Sequence, residues 1–219
     1  MIGDVEIEWR PHQEVTGRLA GPARPSLPNV LLAHGAGAGQ DHPGVAGIRD
    51  RLAGAGVRVL TFNYPYTEAG RRRPDAQSTL LDCHRAALAW LENEAGGDVV
   101  LAGRSMGGRM GSYLAAGGAP ARGLVFYAYP LHPAGKPDRL RVEHLASIVA
   151  PMVFFSGTRD SLARVELIEE HLRPLPNATI DLIDDADHSF RVPKRTGRTF
   201  EEVLDGIAAR TVEWIERLG

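Results

Sequence analysis

The stretch "VVLAGRSMGGRMGSYLAA" carries the clearest chemistry in the chain. An apolar run leads into Gly103-Arg104-Ser105-Met106-Gly107, and small residues with helical spacing follow. When G-x-S-x-G joins a strand to a helix, the serine sits on a sharp, strained turn that raises its hydroxyl above the sheet. Glycines are needed at both flanks, because a β-carbon there would collide with the adjoining strand and helix. The start of the helix brings a partial positive charge to that hydroxyl. The competing expectation is a glycine-rich turn whose serine merely caps the helix.

A serine hydroxyl is a poor nucleophile until a base removes its proton, so a histidine must reach it and an acid must orient that histidine. Of the eight histidines, His188 in "DADHSF" lies just past the last strand-like run. His132 in "YPLHP" lies on the same rim and is the lesser candidate. His12 precedes the core, while His84, His144 and His171 fall in helical or connecting segments. Asp160, just after "PMVFFSG", is the candidate acid; its alternative use is to cap a helix in "SLARVELIEE". Asp184, Asp185 and Asp187 adjoin the histidine in sequence and are badly placed to face its ring. The order Ser105, Asp160, His188 is that of one serine-hydrolase fold and differs from two other familiar orders.

A second glycine-rich turn, "HGAGAG" at residues 34–39, follows the apolar "NVLLA". Such turns bind nucleotide phosphates or build oxyanion pockets. The dinucleotide pattern G-x-G-x-x-G fails in both registers, because Gln40 and His42 occupy the third glycine position. The phosphate-loop pattern is absent. The turn therefore reads as an oxyanion cradle, with Ala36 (Gly37 the alternative) donating one amide and Met106, just after the serine, the other. No His, Cys and Asp cluster has metal-ligand spacing, and no cofactor is expected.

Other residues carry weaker signals. Arg71, Arg72 and Arg73 could meet a substrate anion or form a solvated loop, and Lys194, Arg195 and Arg198 read the same way. Arg104 is expected to pack or pair beneath the turn, away from substrate. His34 is expected to prop its loop, and Cys83 to fill the core as a small residue.

These groups can meet only if several strands end on one rim. "VEIEW" alternates apolar with charged residues, as an edge strand does, and "VTGRL" could pair with it as a hairpin. "NVLLAHG", "VRVLTFNYP", "DVVLAGRS", "GLVFYAYP", "PMVFFSG" and "ATIDLID" follow, more uniformly apolar, as strands covered on both faces would be. Between them, "GVAGIRDRLAGAG", "DAQSTLLDCHRAALAWLENEAG", "GGRMGSYLAAGGA", "SLARVELIEEHL" and the closing "TFEEVLDGIAARTVEWIERLG" have helical spacing. The alternation predicts an α/β fold in one domain, residues 1–219. Its sheet of about eight strands is mostly parallel, with helices on both faces. Residues 131–149 read as a loop with a short helix, too small for a lid domain. The carboxyl ends of the strands would then gather every candidate residue on one crevice.

With these stretches in view, the chain resembles a small α/β-hydrolase along nearly its whole length. It most resembles a lidless group related to dienelactone hydrolases, with bacterial and animal members. The matching stretches are "AHGAGAG", "GRSMGGR", "YPLHPAGKPDRLRVEHL", "GTRD" and "DADHSFRVPKRTGRT". The resemblance implies a Ser-Asp-His scaffold on Ser105, Asp160 and His188. Dienelactone hydrolases usually carry a cysteine nucleophile, so the serine here bars transfer of their substrate.

Bulk properties narrow the field further. With 43% hydrophobic and 24% charged residues and a net charge of −2, the chain has the composition of a globular domain and no broad basic field for nucleic acid. No apolar run approaches the roughly 20 residues that a membrane span needs. One cysteine suits a reducing compartment, and the opening lacks the pattern of a secretion signal, so a cytoplasmic protein is expected. The leading expectation is a serine esterase or thioesterase acting on a small soluble acyl substrate through an exposed site. A silent scaffold and an acyltransferase are the alternatives, and a nucleotide-binding oxidoreductase is disfavoured by the failed glycine registers.

Overall fold

The computed structural model describes residues 2–218. The chain runs β1 (Ile2–Arg10), β2 (Gln13–Ala20), β3 (Asn29–Ala33), α1 (Pro43–Gly54), β4 (Val59–Phe62), α2 (Pro65–Glu68), α3 (Gln77–Ala95) and β5 (Val99–Arg104). It continues with α4 (Met106–Ala116), β6 (Gly123–Tyr127), β7 (Met152–Gly157), α5 (Val165–His171), β8 (Ala178–Ile183) and α6 (Phe200–Glu216). The eight strands form one sheet in the order β1-β2-β4-β3-β5-β6-β7-β8. β2 is antiparallel to β1 and β4, and the remaining pairs are parallel.

Strand alternation divides the core into two layers. On β3, Leu31 and Ala33 face the layer that contains α3, α4 and α5, while Val30 and Leu32 face α1 and α6. A strand covered on both faces is apolar along its run, as Val30 to Ala33 are; the polar Asn29 at the buried start of NVLLA donates through Nδ2 to the Gly96 carbonyl at 2.8 Å. α6 begins with a capping box: Thr199 Oγ1 accepts from the Glu202 amide at 3.2 Å, and Glu202 Oε2 accepts from the Thr199 amide at 2.7 Å. Arg51 on α1 then ties the two helices of this layer through Asp205 at 2.6 Å and Glu201 at 2.7 Å.

Three local expectations need correction. β8 forms the sheet edge, and only Ile183 of its residues is buried, so "ATIDLID" is not covered on both faces. Its apolar residues pack mainly on one side, which periodicity over so short a run does not separate from full burial. Residues 65–68 form a short helix within what reads as a loop. Finally, α5 starts at Val165, later than the helical spacing implied, with Arg164 at its N-cap. Residues 131–149 contain one short 3-10 turn, Glu143–Ser147, in agreement with the expected loop and short helix.

The strand order places the crevice. From β3 the chain steps to β4 on one side and then returns across β3 to β5 on the other. In open α/β sheets the ligand crevice lies at this reversal, outside the carboxyl ends of the two strands. The 34–39 turn follows β3, and Ser105 follows β5.

Candidate active site

Ser105 occupies the link between β5 and α4 with φ 51° and ψ −112°. A positive φ in a residue with a β-carbon costs on the order of 1–3 kcal/mol and persists only where the surroundings hold it. The Ser105 amide donates to the Tyr127 carbonyl at 2.9 Å, anchoring the turn to β6. A β-carbon at Gly103 would stand 2.3 Å from the Gly108 nitrogen of α4. One at Gly107 would stand 2.4 Å from the Ala33 carbonyl oxygen at the end of β3. Helix and strand thus meet at backbone contact, which forces the sharp turn. The Ser105 side chain makes no capping hydrogen bond, so the helix-cap alternative does not hold.

The structure brings all three candidate side chains together. His188 Nε2 lies 2.9 Å from Ser105 Oγ, and His188 Nδ1 lies 2.7 Å from Asp160 Oδ2. The Asp160 carboxylate is fully buried, and its other oxygen accepts the Leu162 amide at 2.8 Å. Asp160 therefore shapes its own loop and does not cap α5. A buried carboxylate accepting from Nδ1–H leaves the lone pair of the neutral ring on Nε2, facing the serine.

The turn bearing His188 is built by a different aspartate. Asp187 Oδ1 accepts the amides of Ser189 at 2.8 Å and Arg191 at 3.0 Å, and Asp185 pairs with Arg195 at 2.6 Å. Neither carboxylate reaches the ring. Arg104 lies largely buried and crosses to the same turn, donating to Ser189 Oγ at 3.1 Å and the His188 carbonyl at 3.4 Å. It thus pairs away from the crevice, as expected, but with the turn of the histidine itself.

The 34–39 turn is fixed from one side. The Gly35 carbonyl accepts from His34 Nδ1 at 2.8 Å and from the Ala38 amide at 3.3 Å, and His34 Nε2 accepts the Tyr64 amide at 3.2 Å. This requires a neutral ring, and burial pushes the His34 pKa down to about 4. Gly35 C=O and Ala36 N–H belong to one planar trans peptide and point in opposite directions. Holding the carbonyl toward His34 therefore turns the Ala36 amide the other way. Ala36, Ser105 and Met106 line one cavity of about 350 Å³. Met106 opens α4, where first-turn amides lack partners within the helix.

The softer candidates fall outside that cavity. Arg71, Arg72 and Arg73 are exposed, and Arg71 pairs with Asp75 at 2.7 Å. Arg198 donates to the Asp184 carbonyl. Cys83 is buried, and burial raises its thiol pKa. His132 does line the cavity, although it does not reach Ser105. Sequence reasoning missed two other cavity residues, Arg109 and Arg141. Arg109 stands four positions after Ser105, the spacing that puts side chains on one helix face, so it could have been found. Arg141 lies in an irregular segment with no such signal.

A mostly parallel sheet with a strained serine turn after β5 and a histidine turn after β8 defines a protein of the α/β-hydrolase fold. The chain belongs to the alpha/beta hydrolase domain family, whose model matches residues 26–216. It is similar to dienelactone hydrolase from Anabaena variabilis, with 21% identity and a TM-score of 0.76 over 99% of this chain and 97% of that one. The esterase domain of a Rhodothermus marinus protein is 16% identical with a TM-score of 0.78, over the full length of both chains. An α/β serine hydrolase without a lid from Xanthomonas campestris is 17% identical, with a TM-score of 0.70 over 98% of this chain and 95% of that one. At these identities the likeness is one of fold. Among the described residues, no helix is long and apolar enough to cross a membrane.

Proposed function

We propose that this protein is a serine hydrolase that cleaves a carboxyl ester or thioester of a small soluble substrate through an acyl-enzyme on Ser105. One observation carries the reading: an unbroken chain of hydrogen bonds from Ser105 through His188 to the buried Asp160. That chain supplies the base a serine hydroxyl needs and the acid that orients the base.

In the first half-reaction, His188 Nε2 takes the proton of Ser105 Oγ as that oxygen attacks the acyl carbonyl. The carbonyl electron pair moves onto oxygen, where the amides of Ala36 and Met106 receive the charge. Each such donor is worth about 3 kcal/mol of barrier. When the carbonyl re-forms, the bond to the leaving group breaks and His188 returns the proton to it. Water then attacks the acyl-enzyme with the same proton transfers, releasing the acid and restoring Ser105. Asp160 holds the ring in place and stabilises the imidazolium as it forms.

The chain's own groups carry every step, in what we read as one catalytic domain. The lone buried Cys83 is consistent with work in a reducing, cytoplasmic compartment. The test is labelling by a fluorophosphonate probe together with turnover of short nitrophenyl esters and acyl-thioesters. Wild type should be labelled and active, and Ser105→Ala neither. Equal labelling of the two proteins would defeat the proposal. Adding alcohol or amine acceptors to the assay separates hydrolysis from acyl transfer.

A further inference from the structure

Two cations line the cavity beside Ser105 without a carboxylate partner among the described residues. Arg109 on α4 and Arg141 in the segment after β6 both line it. Arg109 Nε is buried and makes no hydrogen bond. Among the described residues, neither guanidinium forms an ion pair, and that of Arg109 lies 5.9 Å from the centre of the Tyr113 ring. Burial, followed by the nearby charge of Arg109, holds the Arg141 pKa below the ordinary arginine value. Other arginines of this chain find acids, as Arg51, Arg71 and Arg210 do.

The lining leaves an excess of positive charge. Its carboxylate, Asp75, is taken by Arg71 at 2.7 Å, so that pair is neutral. Among the described residues of the lining, the other buried side-chain atoms without a partner are acceptors. Asp75 Oδ2 is one, and His132 Nε2 is the other, because His132 Nδ1 donates to the Pro133 carbonyl at 2.8 Å. Neither is a donor that would compete for the anion of a ligand.

The backbone segments that carry the two arginines are tied to each other. Ser112 Oγ donates to the Arg109 carbonyl at 2.8 Å and meets His144 Nε2 at 2.8 Å. Tyr113 packs its ring on His144 with centroids 4.1 Å apart, and Tyr129 donates to the Arg141 carbonyl at 2.9 Å. The helix with Arg109 and the segment with Arg141 are thus tied by one polar network. A part-buried guanidinium without a partner is costly, and its planar fork matches two oxygens of a carboxylate or phosphate.

We propose that Arg109 and Arg141 form a specificity site for an oxyanionic group, so that the preferred substrate carries a carboxylate or phosphate besides its scissile ester or thioester. A cavity near 350 Å³ limits that substrate to a small molecule. The proposal rests on the hydrolase reading of Ser105 and adds the class of its substrate.

The test compares matched pairs by kcat/KM. One pair is 4-nitrophenyl hydrogen adipate against 4-nitrophenyl hexanoate. The other is butyryl-phosphopantetheine against butyryl-pantetheine. Wild type should favour the anionic member of at least one pair about tenfold or more, and the favoured pair distinguishes carboxylate from phosphate. In Arg109→Gln and Arg141→Gln that preference should fall about tenfold, with Arg109→Lys recovering part of it. Fluorophosphonate labelling of each variant confirms a folded site. A wild type that is labelled but favours the neutral member of both pairs, or labelled variants that keep the preference, would overturn the proposal. Wild type that is neither labelled nor active would overturn it together with the hydrolase reading.

Discussion

Gly157 and Ala186 meet so closely that a β-carbon on the glycine would stand 2.2 Å from the alanine carbonyl oxygen. Gly157 ends β7 just before the Asp160 loop, and Ala186 opens the turn that carries His188. The Arg159 amide reinforces the junction by donating to the Ala186 carbonyl at 2.9 Å. This backbone approach keeps Asp160 and His188 within hydrogen-bond range. Gly157→Ala should therefore cost at least about 3 kcal/mol in urea unfolding and reduce the activity of the folded fraction. Gly37→Ala is the contrast. Its φ is 67° with no atom within 4 Å of the added carbon, so it should cost only about 1–2 kcal/mol.

Asp160→Asn should lower kcat about 10⁴-fold with little change in thermal midpoint. The native carboxylate accepts from both His188 Nδ1 and the Leu162 amide. An asparagine has one acceptor oxygen for these two donors, and its amide hydrogens favour the wrong imidazole tautomer. Steady-state kinetics with a short ester checks this; a loss below tenfold would contradict the assigned role.

On the proposed mechanism, Arg104 is a positioning residue that acts through the His188 turn. Arg104→Leu should lower kcat about tenfold while leaving KM within a factor of about two, because it loosens the base without touching the cavity. Arg104→Lys should recover part of kcat by restoring one donor to Ser189. Equal loss in both variants, or a loss confined to KM, would count against this.

Acid should destabilise the fold through three neutral histidines, His34 and His84 buried and His144 half-buried. Burial pushes His34 and His144 down to about 4 and His84 to about 3, against an ordinary 6.5. The unfolded chain binds their protons first, so stability is complete above about pH 6.5 and falls as pH drops toward 4. Each histidine contributes at most about 1.4 kcal/mol per pH unit within that window. Denaturant unfolding between pH 7.5 and 4.5 measures the slope. His84→Gln keeps an acceptor for the Tyr64 hydroxyl, 3.0 Å from His84 Nδ1, and should reduce the slope. An unchanged slope would exclude His84 as a source.

Much of the site was legible because its chemistry demands backbone that few residues tolerate. Gly103 and Gly107 mark the helix–strand contact at Ser105, and the failed phosphate registers at Gln40 and His42 removed the main rival for the 34–39 turn. The fold class followed from alternating runs of different period. Less was legible where a segment's environment, more than its own pattern, decides its state. β8 carries an apolar run yet lies at the edge, and residues 65–68 coil into a helix between two loops.

By itself the sequence determined the class of scaffold and named Ser105, Asp160 and His188 as candidates in order along the chain, since strand periodicity and glycine placement are local properties. Only the tertiary structure decided which aspartate reaches His188, where the Gly35–Ala36 peptide points, and that Arg109 and Arg141 share a cavity without forming an ion pair among the described residues. Those are distances between residues remote in the chain, and they are set by how β5, β7 and β8 pack side by side, which no local pattern encodes.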